Sequence, residues 1–500
     1  MVRRDNKKEN RIIIRYLSGC ICMIFSLVLL AGIRVHAETE LPIDVYVTID
    51  DNVPGVVHGL YVGYDYNKYL SLRDMKKAFA DTAKSYELTF EDGKVIIDTT
   101  SEVDPEEDNE SEDTQTNGWS QSEKEGFVNK ALAMNELILN EDKKRYYTIV
   151  TKTGDKSDCY IQLTDFCMLF DVSASTDGEI IHFDTSNNMS PISPIELEKD
   201  GYFQGVNSVL VGDATTGELF YGYKEDEVFP IASTTKLMTY LLVAEALENG
   251  SLTENTMIKA SEEAVALSQT SDGIIPLKLG KEYKASELIQ AALIVSSNEC
   301  DHMLSEYVCG SEEESVLRMN EKAIELGMST AEFYNCNGLP VYTQTLAPAK
   351  KQNRMSSRDM FTLASYILNH YPEIKEVTST KEITPEGIDK ELKNTNPLLY
   401  NMKETTGLKT GTTNRSGACL VSSILVNDGQ TDHDIVVVLL GAEGSPDRGR
   451  VSELLARYGK AVVLGEAMAV SASGEEEEMS PGVSANAILN MIVNRAMQIK

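Results

Sequence analysis

Ser233-Thr234-Thr235-Lys236-Leu237-Met238 opens an apolar stretch that runs through Leu241 and Leu242 to Asn249 and Gly250. Pro230 ahead of it and Gly250 behind it bound a helix from about Ser233 to Asn249. A serine at the start of a helix is ordinarily an N-cap, and a cap would account for the hydroxyl. It does not account for Lys236, three residues on, on the same helical face and flanked by core side chains. A lysine one turn from a hydroxyl can serve as its base once desolvation or neighbouring cations neutralise the ammonium.

Two later strings extend this pattern. Ser296-Ser297-Asn298 follows the apolar helix Leu288–Val295 and by itself reads as a helix terminus, because Ser and Asn favour caps and turns. Lys409-Thr410-Gly411 lies within Thr406-Gly407-Leu408-Lys409-Thr410-Gly411-Thr412-Thr413-Asn414, and by itself is an edge-strand lysine before a turn. A strand with a cation and hydroxyls can bind a peptide's terminal carboxylate, and Gly411 lets a substrate backbone approach closely. Each string alone is a common accident. In this order they resemble the motif set of the serine D-alanyl-D-alanine carboxypeptidases, the low-molecular-mass penicillin-binding proteins.

The resemblance covers roughly residues 195–460. Three lesser strings support it: Asn335-Cys336-Asn337-Gly338-Leu339-Pro340, Ser356-Ser357-Arg358-Asp359-Met360 and Asn396-Pro397-Leu398-Leu399. It implies an α+β, β-lactamase/penicillin-binding-protein-like transpeptidase fold: an antiparallel sheet flanked by helices, with an inserted helical subdomain. Strands read at Ser208–Val211, Glu218–Tyr223, Ala418–Val426 and Ile435–Gly441, around a long helical block, agree with that order. The resemblance further implies that Ser233 is the nucleophile and Lys236 its base. Ser296 would relay a proton to the leaving amine, and Asn298 would hold the substrate amide and the lysine. Lys409, Thr410, Gly411 and Thr412 would bind substrate, the backbone N–H groups of Ser233 and Thr412 would form an oxyanion hole, and Arg448 would be a further carboxylate ligand. Ser297 stands where many relatives have glycine.

The implied activity is removal of the terminal D-alanine from peptidoglycan stem peptides ending in D-Ala-D-Ala, through an acyl-enzyme on Ser233. β-Lactams would inhibit it, and no cofactor or metal is expected. Two other readings stay open. A β-lactamase needs a second base to hydrolyse its acyl-enzyme, for which Glu332-Phe333-Tyr334-Asn335 is the nearest string. A non-catalytic cell-wall-binding protein would work through the segment before residue 190.

That segment holds a repeat. Tyr69–Met75, Phe79 and Asp92–Thr99 correspond to Tyr160–Phe166, Phe170 and Asp177–Thr185. Each unit reads as a strand, a short helix, an Asp-Gly turn and an alternating strand. The pattern resembles the copper amine oxidase N-terminal-like repeats, as a scaffold only, since no His-rich copper site accompanies it. Between the units, Ser101–Asp113 is mostly acidic, and the polar run to Gly126 cannot bury enough apolar area to offset its ordering entropy. A disordered loop at 101–126 is expected there.

At 500 residues the chain is too long for one core. The expected division is a signal peptide or membrane anchor at 1–37, a small α+β repeat domain at 38–188, a catalytic domain at 191–465, and an acidic linker with an amphipathic tail helix at 466–500. Many relatives carry a β-rich domain after the catalytic one; here it is expected to be absent or replaced by the repeats. The net charge of −32 disfavours nucleic acid and general adhesion to anionic lipid. Basic residues to Arg15, an apolar run from Tyr16 to Ile33 and Val35-His36-Ala37 read as an export signal cleaved after Ala37. An uncleaved anchor, with membrane association, is the alternative. Both place the body outside the cytoplasm. Of the cysteines, Cys159, Cys167, Cys300, Cys309, Cys336 and Cys419 follow residue 37, without a Cys-x-x-Cys pair, and read as buried free thiols. His58, His182, His302, His370 and His433 show no metal spacing and read as structural.

Overall fold

The computed structural model describes residues 41–50, 52, 55–62, 67–100, 132–153, 156–177, 180–342 and 350–470. The expected export segment, the acidic loop and the amphipathic tail helix lie outside them.

The amino-terminal half is a ten-stranded sheet carrying two helices. Its first unit comprises β1 (Leu41–Ile49), β2 (Gly55–Val62), β3 (Asn67–Ser71), helix α1 (Leu72–Ala78), β4 (Glu87–Glu91) and β5 (Lys94–Asp98). The second comprises β6 (Ala133–Leu139), β7 (Asp142–Thr153), β8 (Lys156–Gln162), helix α2 (Leu163–Phe170), β9 (Ser173–Asp177) and β10 (Ile180–Asp184). The strand–helix–hairpin order read twice in the sequence is therefore present twice. The spatial order, β4-β5-β6-β7-β8-β3-β2-β1-β10-β9, adds something the sequence did not suggest. Each unit gives its last hairpin to the edge of the other: β5 pairs in parallel with β6, and β10 in parallel with β1. The antiparallel β3–β8 pair sits at the centre of this exchange. Ser71 caps α1 by accepting from Asp74 N, and Gln162 caps α2. Between the helices and the sheet, Phe79, Phe166 and Phe183 meet edge-on at centroid distances of 5.5–5.6 Å.

After helix α3 (Pro194–Lys199), a second sheet begins with β11 (Ser208–Asp213) and β12 (Leu219–Tyr223). It is completed by β13 (Thr405–Thr413), β14 (Gly417–Asn427) and β15 (Asp432–Ala442). The order is β12-β11-β15-β14-β13, antiparallel throughout. The helical block lies between β12 and β13 in the chain, as the sequence indicated. Its main helices are α4 (Lys236–Glu248), α5 (Glu262–Ser268), α6 (Ala285–Ile294), α7 (Asn298–Cys309), α8 (Glu312–Glu325) and α9 (Ser357–His370). The short α10 (Ile374–Thr378) and α11 (Leu398–Asn401) precede β13, and α12 (Ser445–Val463) closes the domain.

The central strand β15 shows how the core is divided. Val436, Val438 and Leu440 face the helical block, joining a cluster around Leu237, Met238 and Leu241 of α4. Ile435, Val437 and Leu439 face the other way, into a cluster with Leu454 and Leu455 of α12. A strand covered on both faces has to be apolar throughout, which accounts for the unbroken run Ile435–Leu440. The second cluster continues through Val209 and Leu197 into Phe166, Phe170 and Ile181 of the amino-terminal half. The two halves thus share one apolar core. Val470, inside the span expected as a linker, joins it with Ala467 and Ala469 packed alongside: Val470 is buried and its N–H donates to Phe220 O at 2.9 Å. Among the described residues Cys159, Cys167, Cys300, Cys336 and Cys419 are buried free thiols and Cys309 is half-buried.

Candidate active site

The nucleophile candidate is not a cap. Ser233 lies within a 3-10 turn, Ala232–Thr235, that runs directly into α4 without a side-chain cap. The hydroxyls of Thr234 and Thr235 donate to Ile231 O (2.6 Å) and Ala232 O (2.7 Å), which pins the turn and leaves Ser233 as its partly exposed member. Ala232 is held in left-handed backbone at φ 48°. Gly338 explains why that turn can sit so low: a Cβ there would be 2.0 Å from Ala232 O, and its own φ is 85°.

Lys236 begins α4 and is completely buried. Its Nζ is 3.1 Å from Ser233 Oγ, 2.8 Å from Asn298 Oδ1 and 3.0 Å from Asn337 O. Asn298 is the first residue of α7, and its Nδ2 donates to Asp272 O at 2.8 Å, which fixes the amide with its oxygen towards the lysine. Burial holds the Lys236 ammonium below the usual lysine range, against the opposing pull of Asp301, Cys336 and Glu299. Ser296, the residue two before Asn298, stands in left-handed backbone at φ 67° between α6 and α7. Ser297 caps α7, accepting from Cys300 N.

Strand β13 forms the other wall. A Cβ on Gly411 would be 2.8 Å from Ser233 N and 3.0 Å from Thr234 N, so glycine is what lets the edge strand close on the nucleophile turn. Two residues earlier, Lys409 is buried, with its Nζ donating to Thr410 O at 2.9 Å. Burial, reinforced by the neighbouring Lys236 charge, depresses its pKa well below the ordinary lysine range, while Asp301 opposes. Thr410 Oγ1 pairs with Thr395 Oγ1 at 2.6 Å. Arg448, on α12, reaches Thr412 Oγ1 at 3.1 Å, and its buried Nε has no hydrogen-bond partner among the described residues. The three motifs and Arg448 are therefore assembled in one place.

Several contributors were not singled out by the sequence. Asn337 lies in a quoted string, but its carbonyl contact to the lysine gives no sequence signal. Asp272 acts through its backbone, which any residue could supply. Asp301, buried and pushed by desolvation up to about 7, shows itself only through the fold. Glu299 was also silent; its carboxylate accepts from Ile274 N at 2.9 Å and from Ile275 N, tying down the loop that positions Asn298.

Residues 204–444 match the Peptidase S11 family, described as D-alanyl-D-alanine carboxypeptidase. The chain is 33% identical over 219 residues to the D-alanyl-D-alanine carboxypeptidase DacF of Bacillus subtilis, covering 43% of this chain and 53% of the relative. It is 30% identical over 254 residues to DacC of Escherichia coli, covering 50% and 60%. It thus spans between half and two thirds of the length of these curated relatives. The D-alanyl-D-alanine endopeptidase of Escherichia coli is 29% identical over 229 residues, covering 44% and 67%. Among solved structures, a peptidoglycan synthesis regulatory factor (PBP3) from Streptococcus pneumoniae aligns at 29% identity and TM-score 0.47, covering 51% of this chain and 72% of that one. Penicillin-binding protein D2 of Listeria monocytogenes, in an ampicillin-bound form, aligns at 28% and TM-score 0.43, covering 51% and 97%.

Proposed function

We propose that this chain is an extracytoplasmic serine D-alanyl-D-alanine carboxypeptidase that shortens peptidoglycan stem peptides through an acyl-enzyme on Ser233. The family match over residues 204–444 supports the reaction class. The observation that carries the mechanism is the set of neighbours around Lys236 Nζ. A neutral amine offers two N–H donors and one lone pair. Asn298 Oδ1 and Asn337 O can only accept, and they take both donors. The lone pair is left for the Ser233 hydroxyl at 3.1 Å.

From this arrangement the steps follow. Ser233 Oγ attacks the carbonyl of the penultimate D-alanine while its proton passes to Lys236. The N–H groups of Ser233 and Thr412 receive the developing oxyanion. As the tetrahedral species collapses, the proton on Lys236 moves through Ser296 to the leaving amine, D-alanine departs and Lys236 is neutral again. Lys236 then takes a proton from water as the water oxygen attacks the acyl carbon, and hands it to Ser233 Oγ as the shortened peptide leaves. Arg448 and Lys409 hold the substrate's carboxylate. Among the described residues no helix is long and apolar enough to cross a membrane.

Purified protein should release D-alanine from a pentapeptide ending in D-Ala-D-Ala, and penicillin should add its mass to Ser233. Ser233→Ala should abolish both, and D-alanine release at the wild-type rate in that variant would exclude the proposal. The endopeptidase among the relatives motivates a second substrate, a D-Ala-linked cross-linked dimer. Faster cleavage of the dimer than of the pentapeptide would reassign the chain to that activity.

A further inference from the structure

We propose that His302, Glu312 and Cys336 form a binding site for a thiophilic divalent cation of the zinc type, placed beneath the catalytic lysine. The three come from separate places: His302 from α7, Glu312 from the first position of α8, and Cys336 from the loop that follows. His302 Nδ1 is 3.8 Å from Glu312 Oε2 and 4.0 Å from Cys336 Sγ, and Sγ is 3.4 Å from Glu312 Oε1. Zinc bonds of about 2.0–2.3 Å at tetrahedral angles place donor atoms roughly 3.3–3.6 Å apart. The two Glu312 oxygens now face His302 and Cys336 separately, and one ligand atom from each residue lies within 4.8 Å of the others, so a turn of the carboxylate and a closing of the three groups would make three corners of a tetrahedron and leave the fourth for water.

The donor set decides the class of ion. One nitrogen, one sulfur and one carboxylate suit zinc and its borderline neighbours, whereas magnesium and calcium prefer oxygen throughout. The surroundings fit as well. The other ring nitrogen of His302 is 3.2 Å from Glu306 Oε1, at an angle outside a hydrogen bond, and Ser261 donates to Glu306 Oε2 at 2.7 Å. A carboxylate behind an imidazole orients a metal-binding histidine once it accepts the ring N–H, and a small turn of the His302 ring would bring that about here. His302 and Cys336 are buried, while Glu312 is 34% exposed and opens a way in. The Cys336 thiol now donates to Glu312 Oε1; on binding a cation that proton would leave to solvent and the thiolate would ligate.

Location gives the site its consequence. Cys336 O accepts from Thr239 of α4, and the next carbonyl, Asn337 O, accepts from Lys236. A cation on Cys336 would brace the loop that holds the lysine. The sequence hid this, because residues 302, 312 and 336 have no recognisable metal spacing, and it revises the expectation that no metal is used. The proposal rests on these side chains and not on the carboxypeptidase reading.

The test uses the full chain, treated with a chelator, dialysed and titrated with Co²⁺ as a spectroscopic stand-in for zinc. One equivalent should bind with a thiolate-to-cobalt charge-transfer band and the visible bands of a tetrahedral ion, and Zn²⁺ should displace it. Cys336→Ser should lose the charge-transfer band, and Glu312→Gln should weaken binding at least ~tenfold. Absence of the band in the wild type, or its survival in Cys336→Ser, would overturn the proposal. If Cys336→Ser does not fold, the partly exposed Glu312→Gln decides: unchanged Co²⁺ affinity overturns it equally.

Discussion

Lys236 Nζ has two carbonyl-type acceptors and one hydroxyl around it, which serve an ammonium as three acceptors and an amine as two acceptors and one donor. Its pKa is lowered by burial, so the base form becomes available below the ordinary lysine range, and acylation should rise with pH through that depressed value. Lys236→Met keeps the bulk and removes the base; the rate of penicillin acylation should fall about 10²–10⁴-fold. Lys409 has the opposite sign. Burial and the Lys236 charge depress it too, so a substrate carboxylate, which favours the charged form, raises it again on binding. KM should therefore increase as pH rises past the Lys409 value. In Lys409→Met that dependence should vanish while efficiency drops at least ~tenfold, the loss of a charge-assisted contact of about 1.5–3 kcal/mol. A KM flat with pH in the wild type would place the carboxylate on Arg448 alone. These residues were legible in the sequence because reactive side chains recur in a fixed order. Asn337 and Asp272 were not, because a backbone carbonyl leaves no mark on residue identity.

At the level of elements, the site depends on an edge strand and a 3-10 turn lying closer than side chains permit. Gly411→Ala puts a methyl 2.8 Å from Ser233 N, against backbone that cannot rotate away. The strand must withdraw, at a cost of about 1–3 kcal/mol in stability, and the oxyanion donors separate. Acylation should suffer more than folding: penicillin labelling slows by more than ~tenfold, while the thermal midpoint falls by only a few degrees. Equal labelling rates would show that β13 does not set the position of Ser233. Strands β11, β12, β14 and β15 were readable because apolar runs and an Asn-Asp-Gly turn mark them locally, Gly429 adopting φ 94° as that turn requires. The hairpin exchange in the amino-terminal sheet was not readable. Each repeat shows its own strands, but which edge a hairpin joins is decided by distant partners such as Tyr46–Ile180 and Val95–Leu137.

For the whole molecule, the question is whether the amino-terminal sheet is an appendage or part of the catalytic body. The junction favours the second. Arg450 of α12 makes a two-pronged ion pair with Asp165 of α2, both N···O distances 2.9 Å and both side chains almost fully buried. The side-chain amide of Asn401 accepts from Arg145 N and donates to Arg145 O, and the Arg145 guanidinium lies 3.6 Å over the Tyr400 ring. Around these polar ties the apolar cluster runs without a break from α2 through α12 to β15. Because α12 also carries Arg448, strain at this junction can reach the carboxylate end of the site. Removing one partner of a buried pair strands the other charge, so Asp165→Ala should cost about 3–5 kcal/mol. Replacing both, Asp165→Leu with Arg450→Met, should restore much of that loss, since well-packed apolar residues can substitute for such a pair. Denaturant unfolding should show a single transition for the wild type, with both halves melting together, and the same ordering of wild type, double and single variant should appear in KM. A first transition that removes the amino-terminal sheet and leaves D-alanine release intact would make that sheet an independent module.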